Sequence, residues 1–426
     1  MRRLLSPRLD RWYYGWVLLG AVSITEVVSW GILYYAFTVF IAPMQADLGW
    51  SREVLTGGYS LALLCSGLAA VPVGWWLDRH GPRAIMTAGS CLGSLLLVAW
   101  SQVSTPGSFY LIMAGIGVVM AAVLYDPAFA VIAVWFRRHR GRALTILTFF
   151  GAWASFLFIP LSAYLVASLG WRSALLALAS LLAVLTIPLH ALVLRRSPQD
   201  LGLRPDGEPN DRTEPELSAT ADIHVSLRAA LQDMDFWWLT IAFAISTFAT
   251  VALTVHLIPY LVEQGISATY AATIAGLFGL MSLAGRVILG PLGDRYPRQV
   301  VTAILMGMQL VGVLILILVP SMLGAIVYII LFGAGSGTLT MMRAALLAER
   351  YGSAQYGSIN GALSLGLTIA RTLAPISATL VAGQLGGYRS LLWMIVVLCG
   401  VGGAAVLRFT TQSAAASGEA AKSSAS

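Results

Sequence analysis

Twelve apolar runs of about 20 residues dominate this sequence, and that is the length a helix needs to cross a bilayer. Charged residues make up only 11% of the chain and hydrophobic residues 58%, whereas about a quarter of a typical soluble chain is charged. A peptide group in lipid must find its hydrogen bond inside its own segment, so each run predicts a spanning helix. The runs lack the alternation typical of barrel strands. Their centres lie near residues 27, 65, 92, 121, 155, 182, 249, 280, 309, 335, 369 and 399.

Two charged loops repeat one pattern. The segments "GWWLDRHGPR" (74–83) and "GPLGDRYPRQ" (290–299) both follow an apolar run, and their Asp-Arg pairs are 216 residues apart. A second match, "PLSAYLVA" from Pro160 and "PISATLVA" from Pro375, has an offset of 215. Six spans return the chain to its starting side. The sequence therefore predicts an all-α membrane protein of twelve transmembrane helices in two parallel six-helix halves, related by an axis along the membrane normal.

Composition sets the domain boundaries. We expect an N-terminal half over 1–194 and a C-terminal half over 236–411. The segment 195–235 is rich in Pro, Asp and Glu and is expected to be a cytoplasmic linker. The end of the chain, 412–426, contains small and polar residues and is expected to be a disordered cytoplasmic tail.

Basic residues predict the orientation. If the N-terminus lies inside, most of the 26 Lys and Arg residues fall in inner segments, and the outer loops hold only Arg52, Arg172 and Arg389. The positive-inside rule then places both termini in the cytoplasm and the protein in the cytoplasmic (inner) membrane. The net charge of +7 follows from this topology, so no nucleic-acid partner is expected.

With twelve spans, two halves, a long middle loop and the Asp-Arg loops after spans 2 and 8, the chain resembles the major facilitator superfamily. Within it, "RWYYGW", "FIAPMQADLGWSR" and Arg286 resemble the monocarboxylate and oxalate-type transporters. The chain departs from that branch at two positions: Tyr35 stands where a span-1 Lys is common, and Ser282 where some members carry an Asp. The resemblance implies alternating access.

We expect the repeated loops to act as a conformational latch. The resemblance places the partner of Asp78 at the N-terminal end of span 11, where the helix dipole favours a negative charge. The alternative is that these charges serve only as topology signals. The residues assigned to the loops are Asp78, Arg79, Arg83, Asp294, Arg295 and Arg298.

Charges inside spans need a reason, because each costs about 2.5–3.5 kcal/mol at the bilayer centre. Arg286 and Arg371 are predicted to bind a substrate carboxylate, since a guanidinium is always charged and grips a carboxylate with two hydrogen bonds. A fixed ion pair, or snorkelling to the inner surface, is the alternative for both. Tyr34, Tyr35 and Asn360 are further candidates for substrate contact, although aromatic residues in spans often only pack.

Two carboxyl groups inside spans, Glu26 and Asp126, are the candidates for carrying a proton, because burial makes reversible protonation of a carboxylate possible near neutral pH. A static ion pair is the alternative for Glu26. Arg343 corresponds by the repeat to Pro127, next to Asp126, and is predicted to belong to an inner gate. A purely structural pair remains open there.

These residues predict a secondary active transporter, not an enzyme. Its expected substrate is a small, monocarboxylate-like organic anion, moved with protons by a monomer in the lipid bilayer. The five histidines and three cysteines show no metal-ligand spacing, and no P-loop is present, so no metal or cofactor is expected. The main alternative is a proton-coupled drug or cation exporter of the same superfamily. A channel is less consistent with the repeat, and a non-transporting sensor of the same fold is a rarer alternative.

Overall fold

The computed structural model describes residues 13–207, 225–384 and 386–409. Within these ranges, twelve helices are long and apolar enough to cross a membrane, and no strand occurs. The predicted all-α, twelve-span fold class is confirmed. The helices are α1 (Tyr14–Leu48), α2 (Arg52–His80), α3 (Pro82–Ser101), α4 (Pro106–Trp135), α5 (Arg140–Leu169), α6 (Trp171–Val193), α7 (Met234–Glu263), α8 (Thr273–Arg295), α9 (Arg298–Leu318), α10 (Met322–Tyr351), α11 (Tyr356–Gln384) and α12 (Gly387–Arg408).

Turn chemistry sets the helix ends. Ser51 and Ser321 begin α2 and α10, each accepting a hydrogen bond from the backbone N–H three residues on. The turn between α2 and α3 lies in the first repeated loop. Gly81 adopts φ +76°, a left-handed value that glycine tolerates, and Pro82 follows as the first residue of α3. The Gly-Pro pair therefore accounts for the sharp reversal directly after Asp78.

Three helices in the first half are irregular, and one of them, α6, ends in a π-helical turn at Leu189–Val193. Residues Trp30–Tyr35 of α1 form a π-helical turn, a wider winding that is often found at functional sites. Helix α4 is interrupted at Leu124, whose backbone is extended (φ −92°, ψ −161°), and restarts at Tyr125. Pro127 gives a physical reason for the interruption, because a proline ring clashes with the carbonyl four residues before it and has no N–H to donate.

The chain divides into two compact units. Unit 1 comprises Met1–Ile223 together with Ser353–Ser358, and unit 2 comprises His224–Gly352 together with Ile359–Ser426. The first residues of α11 therefore group with unit 1. Much of the predicted linker, 208–224, and all of the predicted tail, 412–426, lie outside the described residues.

Each unit has its own apolar core. In unit 1, Phe40, Trp100 and Phe109 are almost fully buried and their rings contact one another. In unit 2, Tyr328 and Phe332 are equally buried, with ring centroids 5.3 Å apart. Aromatic side chains are large, so these layers fix the helix spacing within each unit.

Asp206 holds the start of the linker against unit 1. Its side chain is only 4% exposed and accepts hydrogen bonds from the backbone N–H groups of Arg137 (2.8 Å), Arg138 (2.6 Å) and His139 (3.2 Å). These N–H groups precede α5, so the carboxylate caps the helix from a distant part of the chain. Burial of the nearby Tyr13 phenol raises its pKa, and the negative charge of Asp206 raises it further. Tyr13 then stays protonated and donates to a backbone carbonyl.

We expect Asp206→Asn to lower the thermal stability of the purified protein, because an amide has one acceptor oxygen and no charge to offer three N–H donors. The loss should be about 1.5–3 kcal/mol, the scale of a hydrogen bond to a charged group. The measurement is the thermal midpoint in detergent, with Glu263→Gln, a change at an exposed carboxylate of unit 2, as the control. An equal midpoint for both variants would contradict the capping role.

Candidate functional site

Asp78 of the first repeated loop is bound by backbone N–H groups. Its two carboxylate oxygens accept hydrogen bonds from Gly357 N–H and Ser358 N–H, each at 2.8 Å, and the Ser358 hydroxyl donates to it as well. Both residues belong to the first turn of α11 and to unit 1. The first N–H groups of a helix have no partner within it and carry partial positive charge, so they suit a carboxylate.

A close backbone approach makes these bonds possible. A Cβ atom placed on Gly74 would lie 2.0 Å from the carbonyl oxygen of Gly357, and one placed on Gly357 would lie 2.6 Å from the carbonyl oxygen of Gly74. Neither position can hold a larger residue without the backbones separating. The glycine of the repeated pattern, one turn before Asp78, therefore brings α2 near enough for the carboxylate to reach the N–H groups.

The second loop is built differently. The Asp294 side chain is 38% exposed, and its contact with Arg298 is long, at 3.5 Å. Arg298 makes a shorter ion pair with Glu349 of α10, at 3.1 Å. In the first loop, Arg79 lies over the Trp75 ring at 4.0 Å. Arg83 and Arg295, by contrast, are exposed.

Glu26 is the most enclosed charged residue of unit 1. It is 0% exposed, and neither carboxylate oxygen makes a hydrogen bond of normal geometry within the described chain. The Trp30 indole lies within reach of it, and the charge of Asp126 acts on it. An uncompensated buried carboxylate is costly, so Glu26 requires a proton or a cation.

Asp126 lies in the first turn of the second half of α4, next to the break at Leu124. It is half-buried, and the positive end of the restarted helix favours its negative charge. Both predicted proton carriers thus lie next to irregular parts of their helices: Glu26 one turn before the π-helical turn of α1, and Asp126 just after the break in α4. In transporters, interrupted helices often supply the polar groups of a binding site.

Four aromatic residues of unit 1 lie close to Trp30, the ring that reaches Glu26, or to one another. The Trp30 ring lies 4.9 Å from that of Tyr34 and 5.0 Å from that of Tyr125, and Tyr34 lies 5.0 Å from Tyr35. The hydroxyl of Tyr59 donates to the carbonyl of Tyr34 at 3.1 Å. Tyr34 and Tyr35 had been singled out from the sequence, whereas Tyr59 and Tyr125 had not. The Asp-Pro pair at 126–127 is the sequence signal that would have indicated the break beside Tyr125.

Arg286 contacts the backbone of a neighbouring helix in unit 2. Its Nε donates to the carbonyl of Gly337 in α10 at 3.1 Å. The helices are close there, because a Cβ atom on Gly337 would lie 2.1 Å from the carbonyl oxygen of Ser282. Small residues allow membrane helices to approach in this way. One edge of the guanidinium is thereby oriented by the backbone.

The other candidate residues of unit 2 lie on α11, except for Arg343, which lies on α10. Asn360 is fully buried, Ser364 is nearly so, and Arg371 is half-buried. Ser364 lies one helical turn beyond Asn360, and its hydroxyl is 3.4 Å from Arg343 Nη1. Arg343, on α10, is only 8% exposed. A polar stripe thus runs along α11 within unit 2.

An ion cluster that the sequence did not predict joins α7 to α10. Arg350 contacts the carboxylates of Asp233 at 2.9 Å and Asp235 at 3.0 Å, and the Tyr351 hydroxyl donates to Asp233. Asp233 also caps the start of α7. Across the described ranges, no group of three or more His, Cys, Asp or Glu residues is arranged to hold a metal ion.

Charged side chains within spans are typical of proteins that move polar solutes through a membrane. The family model described as Major Facilitator Superfamily matches residues 22–330 and 265–425. The chain therefore belongs to the major facilitator superfamily, a family of multi-pass membrane transporters, not of enzymes. The resemblance inferred from the repeated loops is confirmed.

Relatives with similar sequences span most of the chain. An uncharacterized MFS-type transporter of Bacillus subtilis is 26% identical over 93% of this chain and 94% of its own length. Monocarboxylate transporter 13 of Bos taurus is 25% identical over 88% of this chain and 82% of its own length. Monocarboxylate transporter 11 of Homo sapiens is 29% identical over 66% of this chain and 57% of its own length.

Solved structures share the fold. A crystal structure of the transporter FucP in an outward conformation matches with a TM-score of 0.73 at 13% identity, covering 94% of this chain and all of that one. A bacterial homologue of the iron transporter ferroportin matches with a TM-score of 0.71 at 16% identity, covering 93% of this chain and 99% of that chain. At these identities the likeness concerns the fold alone.

We expect Asp78→Asn to lower transport without preventing membrane insertion. The variant would set an amide NH₂ against a backbone N–H that now donates to a carboxylate oxygen. Asp294→Asn is the matched control, because its carboxylate occupies the same place in the repeat but is exposed. The measurement is solute uptake into proteoliposomes that contain equal amounts of each variant. Equal uptake by wild type and Asp78→Asn would rule out the latch role.

Proposed function

We propose that this protein is a secondary active transporter of small, monocarboxylate-like organic anions, driven by protons and working by alternating access. The chain lies in the cytoplasmic (inner) membrane with both termini in the cytoplasm, an orientation supported by the basic residues of the inner loops. It acts as a monomer. Similarity to monocarboxylate transporters 11 and 13 supports this substrate class.

One observation carries the anion assignment: the charged side chains in the middle of the spans of unit 2 are all arginines within the described residues, at 286, 343 and 371. A guanidinium inside a span attracts anions, and a carboxylate can pair with it through two hydrogen bonds. Arg286 is oriented by the backbone, because its Nε donates to the carbonyl of Gly337.

Proton coupling is assigned to Glu26, with Asp126 as its neighbour. A fully buried carboxyl group whose oxygens make no hydrogen bond of normal geometry in the described chain changes its interactions strongly when it gains or loses a proton. Movement of one proton would then be linked to a change in the surroundings of α1.

A proton-coupled cation exporter is the second candidate. It is favoured by the two carboxyl groups and the aromatic rings of unit 1, since both attract cations. A screen in proteoliposomes with an imposed pH gradient decides between the two, using lactate, pyruvate, oxalate and larger carboxylates against cationic dyes. Accumulation of a carboxylate supports the proposal, and transport of dyes alone overturns it.

Arg286 variants test the anion site. Arg286→Lys keeps the charge but loses the planar fork, so affinity for the carboxylate should fall about ten-fold to a hundred-fold, the equivalent of about 1.5–3 kcal/mol. Arg286→Ala should nearly abolish uptake. The measurement is the KM of uptake, with Arg389→Lys, at an exposed position of the same unit, as the control. Unchanged carboxylate transport in Arg286→Ala would refute the assignment.

Glu26→Gln tests the coupling. Glutamine preserves the size of the side chain but cannot release a proton, so a pH gradient should no longer drive accumulation. Exchange of labelled for unlabelled solute needs no net proton movement and should persist. The two readouts are gradient-driven uptake and counterflow in the same vesicles. If both persist, the proton is carried elsewhere; Asp126→Asn is then the next variant to measure.

A further inference from the structure

Five aromatic rings of unit 1 form a connected, half-buried group, here called the aromatic cluster: Trp30, Tyr34, Tyr35, Tyr59 and Tyr125. Ring centroids in the cluster are 4.9–6.1 Å apart. We propose that the cluster binds a flat, conjugated group of the solute, so that the transported anions are aromatic carboxylates in preference to lactate-sized aliphatic ones. This inference rests on the proposed anion transport.

The cluster borders the packing core, because Tyr59 stacks on the buried Phe37 at 4.3 Å and Tyr125 on the buried Phe129 at 5.2 Å, but the cluster is more exposed than that core. Phe40, Trp100 and Phe109 of the same unit are 0%, 3% and 0% exposed, as expected of rings that only fill space. The cluster rings keep part of their surface uncovered. Uncovered aromatic surface is available for a further ring, which prefers an offset or edge-to-face arrangement at a similar spacing.

The position of Glu26 indicates that Trp30 faces the protein and not the lipid. Glu26 lies one turn before Trp30 on α1, and residues four apart share a helix face. Ionisable residues in membrane spans face the protein interior or a water-filled cavity, because contact with lipid is costly. The rings of Tyr34 and Tyr125 lie 4.9 and 5.0 Å from that of Trp30.

Two departures from regular helix bring the rings together. In the π-helical turn, the N–H of Ala36 donates to the carbonyl of Gly31, five residues earlier, at 2.9 Å. This winding places Tyr35, as well as Tyr34, near Trp30. The break at Leu124 sets Tyr125 at the start of a new helix, 5.0 Å from Trp30. Irregular winding costs stability and persists where it is useful.

The charges of unit 1 restrict what the cluster can hold. Asp126 would repel a carboxylate brought beside it, and Glu26 is fully buried. If the solute is an anion, the part of it that contacts the rings is therefore an uncharged part. A solute of lactate size has no ring to place on the cluster.

The test compares two carboxylates of similar size. Benzoate has a flat conjugated ring, and cyclohexanecarboxylate has a saturated one. In wild-type proteoliposomes we expect benzoate to have the lower KM by about two- to ten-fold, the range of one added ring–ring contact. Tyr34→Leu should bring the two KM values together, whereas Tyr34→Phe should preserve the difference. Trp30→Leu and Trp30→Phe repeat the comparison in case a Tyr34 variant fails to fold.

Each outcome is informative. Trp393→Leu, at a 42%-exposed tryptophan of α12, should leave the KM ratio unchanged. Equal KM values in the wild type, or a ratio that Tyr34→Leu and Trp30→Leu both leave intact, would overturn the ring contact. Transport of lactate without benzoate would overturn it and leave the anion proposal standing. Transport of phenyltrimethylammonium with no carboxylate transport would overturn both and assign the rings to a cation.

Discussion

Backbone hydrogen bonding inside lipid is the constraint on which the rest of this structure depends. Because water is absent there, each peptide group must be satisfied within its own helix, and long regular helices are the default. Every departure from regular winding therefore needs a local cause. Two departures of unit 1, the π-helical turn at Trp30–Tyr35 and the break at Leu124, lie next to its carboxyl groups Glu26 and Asp126. A third departure, the π-helical turn that ends α6 at Leu189–Val193, contains no carboxyl group.

The two units carry different charges in the middle of their spans. Within the described residues, unit 1 contains Glu26 and Asp126, and unit 2 contains Arg286, Arg343 and Arg371. Under the proposed function, the two halves have different tasks. The carboxyl groups can exchange protons, whereas guanidinium groups stay charged at any physiological pH. This division is the physical basis of the proposed coupling between a proton and an anion.

The repeated Asp-Arg loop shows how a shared motif can have unlike geometry. Asp78 accepts hydrogen bonds from the first turn of α11, because Gly74 and Gly357 let two backbones touch. Asp294 is exposed and meets only a long contact with Arg298 among the interactions described for it. The same residues in the same order are thus a buried hydrogen-bonded connection in one loop and a surface ion pair in the other. Local sequence cannot distinguish these cases, since the difference lies in what packs opposite.

The sequence alone determined the twelve spans, the repeat and the family, because the length of an apolar run and the cost of charge in lipid act on local segments. It also identified Glu26, Asp126 and the three arginines, since each is conspicuous inside an apolar run. Only the tertiary structure decided that Asp206 caps α5, that Gly337 orients Arg286, and that Tyr59 and Tyr125 join the rings of α1. These contacts join residues far apart in the chain at close helix approaches, and neither composition nor periodicity records which helices approach one another.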